Sequence, residues 1–348
     1  MTSAKQDGPK RFRRPRAPLA WTLAAMATLG CASSTPLSPA YSPLSHNRVI
    51  VDFTTGAVTD AEAVVRDLAS VSQVYVGEVH TSAFHHEVQV EVASRLHAVR
   101  PIVIGVEWLP AAADAVLAEW SAGRLDEDAL LARLGWRQVW GHDFAHYREI
   151  FRWVRSEGVT MVGLNPPPGL AEAVGRHGVS GVPPALRELL PPLDSGNDPH
   201  RLYFRDQMLR HAHAHGHGFN MATLERYYQA QLVRDETMAR RVGALLDEEP
   251  DRLVLVCAGL GHIDRGHGVP LRVSRSRPSE SRDFRIVMPV KSGDMETLAV
   301  DFGPADFPAR RADWAWEARP TGGALALGRQ TRLRDRPILL GSASADWR

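Results

Sequence analysis

The sequence predicts an α/β fold, in which a mainly parallel central sheet is flanked by helices and carries a helical insertion. Short, continuous apolar runs recur from residue 48 onward, and segments with the period of an amphipathic helix separate them. Continuous apolar strands are typical of a parallel sheet that is covered on both faces. The 348 residues are 44% hydrophobic and 23% charged, which suffices for a sizeable core.

The individual elements follow from the same two patterns. Strands are predicted at residues 73–77, 101–106, 159–164 and 253–258. Helices are predicted at residues 84–99, 143–157, 199–215 and 221–248, and the segment 110–134 predicts two helices broken at Gly123. After residue 270, short runs such as 284–290 suggest an antiparallel extension of the sheet.

The first 31 residues are typical of an export signal. A basic stretch over residues 5–16 precedes the apolar, uncharged residues 17–30, which are too few to span a bilayer because a helix needs about 20. The stretch ends in Thr28-Leu29-Gly30-Cys31, which resembles a bacterial lipobox, although Thr28 replaces the usual Leu. We therefore expect lipidation of Cys31, and a plain signal peptide with a coincidental cysteine is the alternative.

The rest of the chain divides into three parts. Residues 32–47 are rich in Ser and Pro and predict a flexible tether. Residues 48–318 form the predicted α/β domain, and residues 319–348 form a C-terminal extension. This organisation predicts a lipoprotein of the bacterial cell envelope that is anchored to the outer membrane and faces the periplasm.

Composition excludes several classes of protein. Lys and Arg total 41 and Asp and Glu total 40, so the net charge of +1 gives no support to nucleic-acid binding. Two cysteines exclude a disulfide-rich scaffold and a multi-cysteine zinc module, and Cys257 is expected to be a small buried hydrophobe. The chain also lacks a phosphate-binding loop and a G-x-S-x-G nucleophile elbow.

Polar side chains follow the four predicted strands. Glu78 and His80 follow the first, Glu107 the second, Asn165 the third and His262 the fourth. Because ligands bind outside the carboxyl ends of parallel strands, we expect a site in a cleft at this edge. Imidazole and carboxylate suit a transition metal, with His80, His262 and Glu78 as ligands, and Glu78 or Glu107 is the candidate catalytic general base.

Gly77-Glu78-Val79-His80 is followed by His85-His86 and Gln89. This order resembles the GExH…HHxxQ opening of the ChaN-like haem-binding uptake proteins, which belong with the Tiki, TraB and erythromycin esterase proteins. The similarity covers about residues 48–318. The other matching segments are Glu107, Trp136 and Tyr147 in the helical middle, Gly163-Leu164-Asn165, Asp235 to Ala239, Gly259 to Pro270 and Ala312 to Trp316.

This resemblance implies a lipoprotein that binds haem for iron uptake or haem handling. It adds His86, Gln89, Tyr147 and Asp235 to the expected ligand-binding residues, and His or Tyr would be the axial ligand. The expected partners are haem and the membrane, which the lipid anchor contacts. A second copy of the chain and a haem receptor or transport protein are further candidates.

The resemblance also leaves a second function open. Two G-x-x-H motifs, at residues 77–80 and 259–262, recur in the superfamily, whose other branches include metal-dependent proteases and esterases. The same His and Glu residues with a divalent metal ion would then form a hydrolase, either a peptidase or an esterase. The histidines of residues 211–217 could also hold a metal, but Gly216 and Gly218 favour an exposed loop there.

Overall fold

One sheet organises the fold, in the strand order β2-β1-β8-β7-β3-β6-β4-β5. The computed structural model describes residues 48–214, 218, 220–278, 283–291 and 311–318. The strands are β1 (Arg48–Asp52), β2 (Val58–Thr59), β3 (Gln73–Glu78), β4 (Ile102–Pro110), β5 (Thr160–Asn165), β6 (Leu253–Gly259), β7 (Phe284–Val290) and β8 (Trp314–Ala318).

Helices fill most of the chain between the strands. They are α1 (Ala61–Leu68), α2 (Ala83–His97), α3 (Asp114–Ser121), α4 (Glu127–Leu134), α5 (Trp136–Val139), α6 (Arg148–Glu157), α7 (Leu170–His177), α8 (Pro184–Arg187), α9 (Asp198–Ala214), α10 (Met221–Glu248), α11 (Leu260–Ile263) and α12 (Val269–Ser276). None of the helices within the described ranges has the length and apolar character to cross a membrane.

The predicted fold class is confirmed, and the centre of the sheet agrees with the sequence pattern. The strand β3 pairs in parallel with β6 and β7, and β4 pairs in parallel with β5 and β6. Every residue of β3, β4 and β6 is buried, as continuous apolar runs predict.

The expected antiparallel extension after residue 270 is wrong. The strands β7 and β8 pair with each other in parallel, and β7 also joins β3 in parallel. A parallel pair needs a long crossover, which the chain between Val290 and Trp314 is long enough to supply. The antiparallel pairs are instead made by β1, with β8 on one side and β2 on the other.

Several predictions concern residues outside the described ranges. These are the signal segment with Cys31, the tether over residues 32–47, the C-terminal extension over residues 319–348, and His215 and His217 of the histidine run. The helix α9 includes His211 and His213, so this half of the run is helical rather than a loop.

The backbones of β4 and β5 come close together near the carboxyl edge of the sheet. The ladder shifts register between Val106 and Pro110. A Cβ atom on Gly163 would lie 2.2 Å from the Pro110 carbonyl oxygen, so only glycine fits. The Asp114 carboxylate accepts the Gly163 N–H at 2.8 Å, and Arg241 donates to Asp114 at 2.6 Å. This contact positions the ends of both strands, including Glu107 of β4.

Replacing Gly163 with Ala should destabilise the protein by roughly 1–3 kcal/mol. The added methyl group would clash with backbone atoms, which cannot relieve the clash by changing rotamer as a side chain could. Urea denaturation of the purified domain would measure the loss. Gly243→Ala is the matched control, because a Cβ there meets nothing within 4 Å in the helix α10, and alanine favours a helix. Equal stability of the Gly163→Ala variant and the wild type would contradict this account.

Candidate functional site

Glu78 is a buried carboxylate at the carboxyl end of β3, and four side chains surround it. His80 Nδ1 lies 2.7 Å from Glu78 Oε1, and Trp108 Nε1 donates to the same oxygen at 3.0 Å. Gln89 Nε2 donates to Oε2 at 2.6 Å, and the Tyr147 hydroxyl lies 3.5 Å from Oε1. Both carboxylate oxygens are therefore satisfied without water.

Glu78 is ionised in this environment. Burial by itself would raise its pKa, but the charge of His86 and the hydrogen bond from His80 outweigh burial, so the pKa of Glu78 is lowered. A buried charge is tolerated only when it is paired and hydrogen-bonded, and the donors around Glu78 meet that condition.

The backbone between β3 and α2 is held by aromatic side chains. His85 Nδ1 accepts the Val79 N–H at 2.9 Å. His86 Nε2 lies 3.0 Å from the His80 carbonyl oxygen, to which the Tyr147 hydroxyl donates at 3.1 Å. These bonds fix the backbone of Val79 and His80 directly after β3, and thereby the position of the His80 side chain.

The His80 ring keeps one nitrogen without a hydrogen-bond partner among the described residues. Because a carboxylate only accepts, His80 Nδ1 carries the proton that is shared with Glu78, and Nε2 holds the lone pair of the neutral ring. Among the described residues, none hydrogen-bonds to Nε2, and 21% of the side chain is exposed. Burial would lower the pKa of His80, but the hydrogen bond to Glu78 and the charge of Glu107 raise it. The rings of Trp140 and His142 lie 4.7 and 5.1 Å from the His80 ring.

His262 belongs to a second buried pair, which differs from the first. Its Nδ1 donates to Asp235 Oδ1 at 2.6 Å, and its Nε2 lies 3.2 Å from Glu107 Oε1. The other Glu107 oxygen accepts the Gly259 N–H at 2.6 Å. Burial would lower the pKa of His262, but the charge of Glu107 and the bond to Asp235 raise it to about 10. Against the penalty of burial, the charge of His262 lowers the pKa of Glu107. His262 is therefore a charged donor at both nitrogens.

The two pairs meet at Gly259, the last residue of β6. A Cβ atom on Gly259 would lie 2.9 Å from His80 Cε1 and 3.3 Å from Glu107 Oε2. The absence of a side chain at this position thus allows the His80 ring to lie over the backbone beside Glu107. His80 and His262 lie at one edge of the sheet, as the sequence predicts.

The structure brings most of the predicted site residues to one edge of the sheet, in two bonded groups that adjoin at Gly259. The first group is Glu78, His80, His86, Gln89 and Tyr147, and the second is Glu107, Asp235 and His262. Asn165 ends β5 at the same edge, but its buried Oδ1 has no hydrogen-bond partner in the described structure. Its place in the site remains a prediction.

The sequence did not single out His200, which extends the second pair toward the helix α9. His200 Nε2 faces Asp235 Oδ2 at 3.6 Å, and Arg272 donates to His200 Nδ1 at 3.4 Å. Because arginine only donates, the neutral His200 ring carries its proton on Nε2, toward Asp235. No strand end or motif marks His200, so only the packing of α9 reveals it. His142, which contacts His80, was missed for the same reason.

The side chains of His80, His262 and Glu78, which were expected to bind a metal ion, are not arranged to coordinate one. Both nitrogens of His262 are occupied by carboxylates. Within the ranges that the structure describes, no group of three His, Cys, Asp or Glu side chains is placed to hold a metal ion. A catalytic zinc site, for comparison, uses three protein ligands.

Comparison with known proteins identifies the family. Residues 64–273 match the family described as "Haem-binding uptake, Tiki superfamily, ChaN", over more than half of the chain. The chain belongs to this ChaN family. The resemblance found in the motifs is thereby confirmed. No curated protein matches the sequence.

Two solved structures are similar to this chain, and the first of them shows the fold. A ChaN of Campylobacter jejuni, described as binding haem cofacially, is 17% identical with a TM-score of 0.58, and the match covers 78% of this chain and 97% of that protein. A mutant of the erythromycin esterase EreC in its open conformation is 12% identical with a TM-score of 0.45, over 77% of this chain and 97% of that protein.

Stability should be greatest near pH 6.5 and fall on both sides. Burial lowers the pKa of His85 and of His200 to about 4, so unfolding takes up protons and becomes easier as the pH falls from 6.5 to 4. The pKa of His262 is raised to about 10, so its contribution is complete below pH 6.5 and is lost as the pH rises through 10. Urea denaturation between pH 4 and pH 10 would measure the loss of stability on the acidic side and on the basic side of pH 6.5.

His85→Asn is the matched variant for the acidic limb. Asparagine can still accept the Val79 N–H through its side-chain oxygen, but it does not titrate in this range. The variant should lose less stability than the wild type between pH 6.5 and pH 4. Identical losses in the two proteins would show that His85 does not supply this limb.

Proposed function

We propose that this protein binds haem at the carboxyl edge of the sheet, with His80 Nε2 as the axial ligand. One observation carries the proposal: Glu78 holds His80 Nδ1 at 2.7 Å, while Nε2 has no hydrogen-bond partner among the described residues and the side chain is partly exposed. Histidines that ligate metals typically donate their other ring nitrogen to a carboxylate or a carbonyl oxygen, which fixes the tautomer and orients the ring.

The surroundings of His80 fit a haem. A haem needs one protein side chain as an axial ligand and an apolar surface for its porphyrin, and it supplies the iron that this nitrogen would bind. Trp140 lies against the His80 ring, and the aromatic side chains of Trp108, Trp136 and Tyr147 pack behind it. A site with a single outward imidazole therefore suits haem better than it suits a bare divalent ion.

Tyr147 supports His80 in this proposal rather than replacing it as the ligand. The Tyr147 hydroxyl donates to the His80 carbonyl oxygen, and the side chain is fully buried. Burial and the charge of Glu78 raise the pKa of Tyr147, which disfavours the phenolate that would ligate iron.

Family membership supports the proposal independently of the geometry. The family is described as one of haem-binding uptake proteins, and the ChaN of Campylobacter jejuni is described as binding haem. Iron uptake or haem handling would follow from haem capture, and a receptor or transport protein would pass the haem onward.

A hydrolase is the second candidate, because the same geometry also suits general base catalysis. An imidazole that is oriented by a buried carboxylate, with its second nitrogen open, is the arrangement that activates a nucleophile or a water molecule. In such an enzyme, His80 would be the base and Glu78 its orienting partner. Hydrolysis of an ester or peptide substrate by haem-free protein, lost in His80→Ala, would favour this candidate.

Replacing His80 with Ala should abolish saturable haemin binding or weaken it at least about tenfold, because the axial bond is lost. Titration of the soluble domain with haemin, followed by the Soret band, would measure this. His213→Ala is the control, because His213 is an exposed histidine on α9. Loss of binding in His213→Ala with retention in His80→Ala would contradict the proposal and assign the binding to the histidine run.

We also propose that the protein is a cell-envelope lipoprotein that is anchored through Cys31. The basic residues, the short apolar stretch and the Gly30-Cys31 pair before a Ser/Pro-rich tether support this localisation. A membrane anchor on a tether of this kind would leave the haem-binding edge accessible to partners in the periplasm.

Replacing Cys31 with Ala should shift the protein from the membrane fraction to an unprocessed or soluble form. Lipidation that supplies more than one acyl chain gives stable anchoring, which a single chain does not. Fractionation of cells and gel mobility would show the change. Cys257→Ala is the control, because Cys257 is buried in β6. Unchanged fractionation of the Cys31→Ala protein would contradict lipidation.

A further inference from the structure

The short helix α5 and the turn that follows it lie beside His80. Trp136 anchors this segment, because its Nε1 donates to the His142 carbonyl oxygen at 2.8 Å. The Trp136 ring packs edge-on against Phe144 and Tyr147, each at 5.2 Å. The segment is therefore held on the same aromatic cluster that supports His80.

Trp140 ends this helix and forms one flank of the proposed site. Its ring packs edge-on against His80 at 4.7 Å and lies 5.2 Å from His142. The side chain remains partly exposed, unlike Trp108, Trp120 and Trp136. A partly exposed indole beside an outward imidazole offers a surface on which a flat ring system can pack.

Arg137 differs from most of the neighbouring arginines of the helical region. Four of these bind carboxylates or carbonyl oxygens: Arg133 with Glu119, Arg148 with Glu127, Arg152 with Glu149, and Arg155 with the Leu125 carbonyl. Arg137 is exposed and forms no hydrogen bond or ion pair with any residue in the described part of the chain. It is a guanidinium that is available to a ligand.

Arg137 and Trp140 lie on the same side of α5. They are three residues apart, and the Trp140 N–H still donates to the Trp136 carbonyl, so helical geometry extends to Trp140. The long arginine side chain can thus reach a group that packs against the indole. Asp143, the acidic residue of this turn, is engaged in accepting the Ala145 N–H at 2.9 Å.

We propose that Arg137 binds a carboxylate of the ligand whose ring system packs against Trp140. The site would then select flat ligands that carry acidic side chains over neutral flat ligands. The guanidinium fork matches a carboxylate, and its bonds to one are charge-assisted. This inference rests on the proposed haem function and adds the residue that recognises the acidic groups of the porphyrin.

Paired titrations with haemin and with haemin dimethyl ester test the proposal, because the ester retains the ring and the iron but lacks the carboxylates. Arg137→Gln should weaken haemin binding by about threefold to tenfold at low ionic strength, since an exposed pair is screened by solvent and salt. Binding of the dimethyl ester should not change. Arg137→Lys should restore part of the haemin affinity, because lysine keeps the positive charge but lacks the two parallel N–H donors of the guanidinium group. Arg124→Gln, an exposed arginine between α3 and α4, is the control and should leave both affinities unchanged.

The outcomes separate this inference from the proposed function. Loss of haemin binding in His80→Ala, together with unchanged binding in Arg137→Gln, would overturn the role of Arg137 and leave the haem site standing. Equal weakening of haemin and ester binding in Arg137→Gln would also overturn it, because the change would then not concern the carboxylates. Failure of the wild type to bind haemin would overturn both proposals.

Discussion

Two buried, ionised carboxylates impose the main constraint on this structure. Glu78 and Glu107 lie at the same edge of the sheet, on strands that flank β6, and both side chains are buried. Each carboxylate must therefore be surrounded by donors, which is why imidazole, indole, amide and backbone N–H groups converge there. Removing one donor would leave part of a buried charge unsatisfied, which costs more than the lost hydrogen bond itself.

The two histidines take different roles because their carboxylate partners differ. His80 has one carboxylate partner, so one ring nitrogen remains for a ligand. His262 lies between Glu107 and Asp235, so both nitrogens donate and the ring stays charged. The charged ring compensates Glu107 and allows this carboxylate to lie beside the His80 ring without a cation of its own. Similar sequence motifs, G-x-x-H in both cases, thus produce one histidine with an open ring nitrogen and one internal counter-ion.

Much of the fold could be predicted because a parallel sheet leaves a direct mark on the sequence. Strands that are buried on both faces are continuously apolar, and the runs at β3, β4, β5 and β6 showed that pattern. The outer strands β1, β2 and β8 are short, and their pairing depends on segments far apart in the chain, so no local pattern indicated it. The direction of β7 and β8 was mispredicted because periodicity identifies a strand but carries no information about its direction.

The sequence by itself determined that Glu78, His80, Glu107 and His262 would meet, because parallel strands deliver the residues after their carboxyl ends to one edge. Only the tertiary structure decided that His80 keeps one ring nitrogen open and that His262 keeps none, because hydrogen bonds between distant elements select the tautomer and charge of a histidine. The position of Trp140 beside His80 was likewise decided by packing: Trp136 holds the preceding helix against Tyr147, and that contact has no signature along the chain.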